Sequence, residues 1–230
     1  MKTKKVNSMV YEDNNYIIYY NECDEKYLKK LKNILQERTP IILDFFKITD
    51  RKKVVIKLYD NLDEYKENIK KSFHHALENG ECDQEREFQE WMIANTEDGN
   101  INMQSLDLVR QLDDYRNYTE DEFCYNAAHE FTHICQQRIG SNSPGWFWEA
   151  IATNLGNPEC QQETSEAFTL KDLNENFDQI DGYGAAYKIG KYLFRNYEKD
   201  YILELTKDNQ ELELIMNSLI STINNHPIKK

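Results

Sequence analysis

Glycine and proline are scarce, at 8 and 4 in 230 residues. A collagen-like repeat and a low-complexity linker protein are thereby excluded, since both need these residues in abundance. No stretch approaches 18 consecutive apolar residues, so no segment has the length of a membrane-spanning helix. The five cysteines, Cys23, Cys82, Cys124, Cys135 and Cys160, form no Cys-x-x-Cys pair. Their odd number and spacing favour reduced thiols over a disulfide framework and point to a cytoplasmic protein. The basic start, Met1 to Ser8, lacks the apolar run of a signal peptide, although a secreted chain from which such a peptide had been removed would look the same. Positive charge is short as well: 28 Lys and Arg face 41 Asp and Glu, a formal net charge of −13. A surface of that sign repels phosphate backbones and anionic lipid, which argues against nucleic acid and membrane as partners.

What remains is the composition of an ordinary folded chain, 40% hydrophobic and 30% charged. A chain this long hides roughly 70% of its unfolded surface, so neither a metal nor a disulfide is needed to hold it together and a metal would serve function. With no repeat and no Pro/Gly/Ser-rich linker, the sequence reads as one continuous α+β domain: an αβ part over 1–118, a motif-bearing region over 119–155 and a helical part over 156–230. Strands are expected at Tyr16 to Tyr20 and Lys53 to Tyr59, which are rich in β-branched and aromatic residues. Helices are expected over about 24–38, 62–78 (closing at Gly80), 183–197 (opened by Asp181) and 199–222 with a break near Asp208-Asn209. Trp91 to Thr96 and Ile101 to Leu106, joined across Glu97-Asp98-Gly99-Asn100, predict a β-hairpin because Asp-Gly supplies the positive φ of a tight turn.

The chemistry concentrates in one helix. Thr119-Glu120-Asp121-Glu122 is a capping box and Gly140 suits a left-handed C-terminal residue, so a helix is expected from 120 to about 138. Within it stands His129-Glu130-Phe131-Thr132-His133. Residues four apart share a helix face, so both imidazoles can reach one tetrahedral cation, while Glu130 is placed to take a proton from metal-activated water. With 5 His in the chain, such a motif arises by chance in about 1% of sequences of this composition, and the downstream residues decide the reading. Ser143-Pro144 begins a second helix, Ser143 as cap and Pro144 in its first position, which can return and bring Glu149 to the histidines as third ligand.

Here the chain resembles the glutamate-zincins, peptidases that pair a His-Glu-x-x-His helix with a Glu on the following helix in a Trp-x-x-Glu-[Gly/Ala] setting; the match is Trp146-Phe147-Trp148-Glu149-Ala150. The resemblance covers about residues 53–200 and is strongest over 119–154, with most likeness to small bacterial peptidase domains, including collagenase-like ones. It implies a zincin-like metallopeptidase fold with a mixed sheet, Zn²⁺ held by His129, His133 and Glu149, and Glu130 as general base. It also implies a tyrosine that donates to the developing oxyanion: Asp181 to Leu193 matches the helix that carries it, with Tyr183 in that role and Tyr187, one turn on, as the alternative. In this family an edge strand upstream of the zinc helix takes an extended peptide antiparallel, and Ile101 to Leu106 fits that place.

The family's aminopeptidase signature Gly-x-Met-x-Asn is absent, which leans toward an endopeptidase. Where the thermolysin branch has an Asp four residues after the ligand Glu, this chain has Thr153 and Asn154, so the partner that orients a zinc histidine stays open. The expected function is thus a zinc-dependent peptide hydrolase acting on a peptide or protein substrate. The alternatives are a catalytically silent metal- or partner-binding module of the same shape and a regulatory protease specific for one partner protein. His74, His75 and Cys82 read as a solvated face rather than a second metal site, and Cys124 and Cys135 as buried hydrophobes.

Overall fold

The computed structural model describes residues 9–50, 52–78, 87–159 and 163–225. The expectations placed on Met1 to Ser8, Gly80, Cys82 and Cys160 lie outside the described residues. The chain forms two compact units, residues 1–35 with 50–130 and residues 36–49 with 131–230. Among the described residues helix makes up most of the secondary structure, beside a five-stranded mixed sheet, and the fold class is α+β. Among the described residues no helix is long and apolar enough to cross a membrane.

The first unit contains the sheet. Strands β1 (Met9–Glu12), β2 (Tyr16–Tyr20), β3 (Val54–Tyr59), β4 (Ala94–Glu97) and β5 (Asn100–Gln104) are ordered β1-β2-β3-β5-β4. β2, β3 and β5 run parallel, and each outer strand is antiparallel to its neighbour. Helices α1 (Glu25–Phe45) and α2 (Leu62–Glu78) connect the parallel strands, as parallel pairing requires. The expected hairpin forms: Asp98 and Gly99 take φ of 49° and 73°, the left-handed pair that a two-residue turn needs. One expectation is corrected. Ile101 to Gln104 is not the edge, because β5 is bonded to β3 on one side and β4 on the other, and Leu106 already opens the short helix α3 (Leu106–Val109). The edges are β1 and β4, and β4, beside β5, is half-buried along its length.

Helix α1 outruns the expected 24–38 and continues through Pro40 to Phe45. An interior proline costs about 3 kcal/mol. Ile42 and Phe45 beyond it are 0% and 2% exposed, and burial at roughly 1.5–3 kcal/mol each offsets that cost. Within the second unit, Phe45 packs edge-on to Phe46 and against Phe194.

The remaining helices are α4 (Glu120–Arg138), α5 (Gly145–Gly156), α6 (Leu170–Glu175), α7 (Gly182–Asn196), α8 (Lys199–Leu205) and α9 (Asn209–Asn225). α4 has the expected ends. The Glu122 carboxylate accepts from Thr119 N at 2.7 Å and the Thr119 hydroxyl accepts from Glu122 N at 3.1 Å. Gly140, at φ 65°, closes the helix while Ser141 N donates to Gln136 O and Gly140 N to Gln137 O, the Schellman pattern. α5 starts one residue later than expected: Pro144, with φ −64° and ψ 156°, is itself the N-cap. α7 opens at Asp181, whose carboxylate accepts from Gly184 N at 3.0 Å. Gly190 lets α7 approach α5, since a Cβ there would stand 2.3 Å from Ala150 O and 2.2 Å from Asn154 Nδ2.

Candidate metal centre

Three of the expected residues converge. One ligand atom each from His129, His133 and Glu149 lie within 4.8 Å of one another. The two imidazoles come from successive turns of the unbroken helix α4, and the carboxylate comes from the first turns of α5, reached over the short connection that Gly140 begins. His133 Nε2 and Glu149 Oε1 are 3.4 Å apart. A charge-assisted hydrogen bond would draw them to about 2.7–2.9 Å. By contrast, ligands about 2.0–2.1 Å from a tetrahedral zinc stand about 3.4 Å from one another. The spacing is compatible with two ligands of one ion. The donor set of two imidazoles and one carboxylate suits zinc at a site with a fourth, open position.

The surroundings limit solvent. His129 is 7% exposed and Glu130 is 8% exposed. Trp148 lies stacked beside His133, centroids 6.1 Å apart with 24° between the planes. Within the first unit, the wholly buried Tyr65 has its phenol pKa pushed up by burial first and by the negative charge of Glu130 second. The Glu130 charge is therefore felt by a phenol that stays neutral.

Tyr183 and Tyr187 differ in their surroundings. Tyr187 is buried and its hydroxyl donates to Pro158 O at 2.8 Å. Tyr183, 43% exposed in the first turn of α7, has its ring edge-on to Phe177 at 5.3 Å.

Thr153 and Asn154 do not orient a histidine. The Thr153 hydroxyl donates to Glu149 O at 2.6 Å, and Asn154 Nδ2 donates to Ala150 O and Tyr187 O. Instead Gln136, wholly buried, meets His133 Nδ1 at 2.8 Å through Oε1 and donates from Nε2 to Trp148 O at 3.1 Å. Sequence reasoning missed Gln136. The available signal was its place three residues after His133, on the same face of the helix.

Other candidates fall out as follows. Cys124 and Cys135 are fully buried, and burial pushes the Cys135 thiol up to about 12, as inert core cysteines require. His74 is exposed, with Nε2 3.3 Å from a Glu78 carboxylate oxygen one turn on. His75, with Glu97 and Asp98 of the hairpin, forms a second group with ligand atoms within 4.8 Å. It sits on the surface, with His75 and Asp98 exposed. The chain has no significant match to any protein-family model, to any curated protein or to any solved structure.

Proposed function

We propose that this chain is a zinc-dependent peptide hydrolase of the glutamate-zincin type. The observation that carries the reading is the convergence of His129, His133 and Glu149, with a 3.4 Å separation between His133 and Glu149 that suits two ligands of one tetrahedral ion. Zinc, when bound, supplies a Lewis acid and a water whose pKa falls to about 7. The three side chains hold the ion and leave one position for water or substrate. Glu130, next to His129 and nearly buried, accepts the proton of the attacking water and hands it to the leaving amine. Tyr183 donates its hydroxyl to the oxyanion, while that of Tyr187 is engaged with Pro158. The extended substrate pairs with the outer side of β4, one of the two edge strands of the sheet and the one beside β5. No motif for capturing a substrate amino terminus is present, which favours cleavage within chains.

Glu130→Gln tests the reading at one residue, because it keeps size and most hydrogen bonding and removes basicity. Zinc content is expected to stay at the wild-type level while cleavage of a susceptible peptide falls by about two to four orders of magnitude. Unchanged cleavage would place the activity elsewhere and refute the assignment.

A further inference from the structure

We infer that Gln136 is a positioning residue that fixes the tautomer of His133 and ties the two ligand-bearing helices together. One partner of Gln136 has only one possible role. Trp148 O is a carbonyl and can only accept, so the Gln136 atom 3.1 Å from it is the amide nitrogen. The other end of the amide is then the oxygen, and it faces His133 Nδ1 at 2.8 Å. An amide oxygen donates nothing, so Nδ1 carries the hydrogen. A neutral imidazole protonated at Nδ1 presents the lone pair of Nε2, the atom that lies 3.4 Å from Glu149 Oε1. One buried amide thus settles which nitrogen of His133 is the ligand atom.

The same side chain spans α4 to α5. It grips the carbonyl of Trp148, whose neighbour in the chain is Glu149, so the imidazole of one ligand and the backbone beside another are set by a single residue. Gln136 is 0% exposed, so no solvent competes for either bond. The indole of Trp148, stacked beside the His133 ring, limits rotation out of that plane. In metal sites such outer partners commonly come as carboxylates or backbone carbonyls. Here an uncharged side chain from the ligand's own helix does the work, and Thr153 and Asn154 are engaged with other carbonyls.

The tautomer argument stands on the metal-free geometry; its consequence for metal affinity rests on the zinc reading proposed above. The test has an arm for each. Metal-free protein labelled with ¹⁵N at histidine is examined by NMR at a pH well above the ordinary imidazole pKa of about 6.5. Wild-type His133 is expected as the Nδ1–H tautomer. Gln136→Met, close in size and unable to bond at either end, is expected to shift His133 toward the Nε2–H form. Gln136→Glu keeps an acceptor for Nδ1–H and is expected to keep the wild-type tautomer, which separates positioning from packing. In the second arm, zinc titration should show Gln136→Met binding about 10- to 100-fold more weakly, with unchanged circular dichroism of the metal-free protein. A wild-type His133 protonated at Nε2 overturns the inference, and so does a folded Gln136→Met with wild-type tautomer and zinc affinity. If Gln136→Met fails to fold, the wild-type and Gln136→Glu spectra decide. Wild-type protein that binds no zinc yet shows the Nδ1–H form would defeat the proposed function and leave the tautomer assignment intact.

Discussion

Tyr183 and Tyr187 stand one turn apart on α7 in different surroundings, and substitution can separate them. An oxyanion donor acts mainly in the transition state, so Tyr183→Phe is expected to lower kcat on the order of 10- to 1,000-fold with little change in KM. Tyr187→Phe removes the bond to Pro158 O and should show in thermal stability, with kcat near wild type. Steady-state kinetics of both variants on one peptide checks this, and a kcat loss confined to Tyr187→Phe would shift the role by one turn. Asp24 offers a stability measurement independent of the site. It is 1% exposed, and burial, with Asp60 and Asp107 adding repulsion, raises its carboxyl to about 6 against the accepting bond from Asn21 N. The fold therefore holds this proton more tightly than the unfolded chain does. Its stabilising contribution is present at low pH and is lost as pH rises through about 6. Asp24→Asn keeps an acceptor for Asn21 N and does not titrate. Relative to wild type it should gain roughly 1–3 kcal/mol between pH 4 and pH 8, read from urea unfolding at the two values; a pH-independent difference would refute the buried charge.

The packing of α5 on α7 is the element-scale feature that holds Glu149 in place. A Cβ at residue 190 would stand 2.3 Å from the backbone oxygen of Ala150, which cannot swing aside as a flexible side-chain tip can. Gly190→Ala should therefore push the helices apart, cost about 1–3 kcal/mol in thermal or urea unfolding, and weaken zinc binding by displacing the turn that bears Glu149. A neutral Gly190→Ala would contradict the close approach. The elements most readable in the sequence were those with chemically explicit ends: α4, between the Thr119 capping box and Gly140, and the β4–β5 hairpin around Asp98-Gly99. Boundaries set by packing were not readable. α1 runs past Pro40 because Ile42 and Phe45 are buried, a tertiary fact that no local preference encodes. The internal place of β5 was not readable because the pattern of Ile101 to Gln104 marks a strand without telling how many neighbours it has. The convergence of His129, His133 and Glu149 was legible through fixed spacing. Gln136 was not, since its role depends on a carbonyl that only the folded chain brings to it.

On the scale of the whole molecule, the fold is expected to stand without a metal ion. The sheet of the first unit and the helices of the second bury wholly apolar residues of their own, Ile18, Ile56 and Ile101 in one and Phe147, Ile151 and Leu193 in the other. Metal binding is therefore separable from folding, unlike in small zinc domains that unfold when stripped. The net charge of −13 does not create the site either, because exposed carboxylates are screened by salt over about 10 Å while the three ligands act at contact distance. The central claim reduces to a stoichiometry. Metal analysis of the purified protein is expected to give close to one zinc per chain, and Glu149→Ala is expected to lose most of it while keeping the wild-type circular dichroism. Wild-type protein without zinc, or Glu149→Ala with full occupancy and unchanged affinity, would contradict the account.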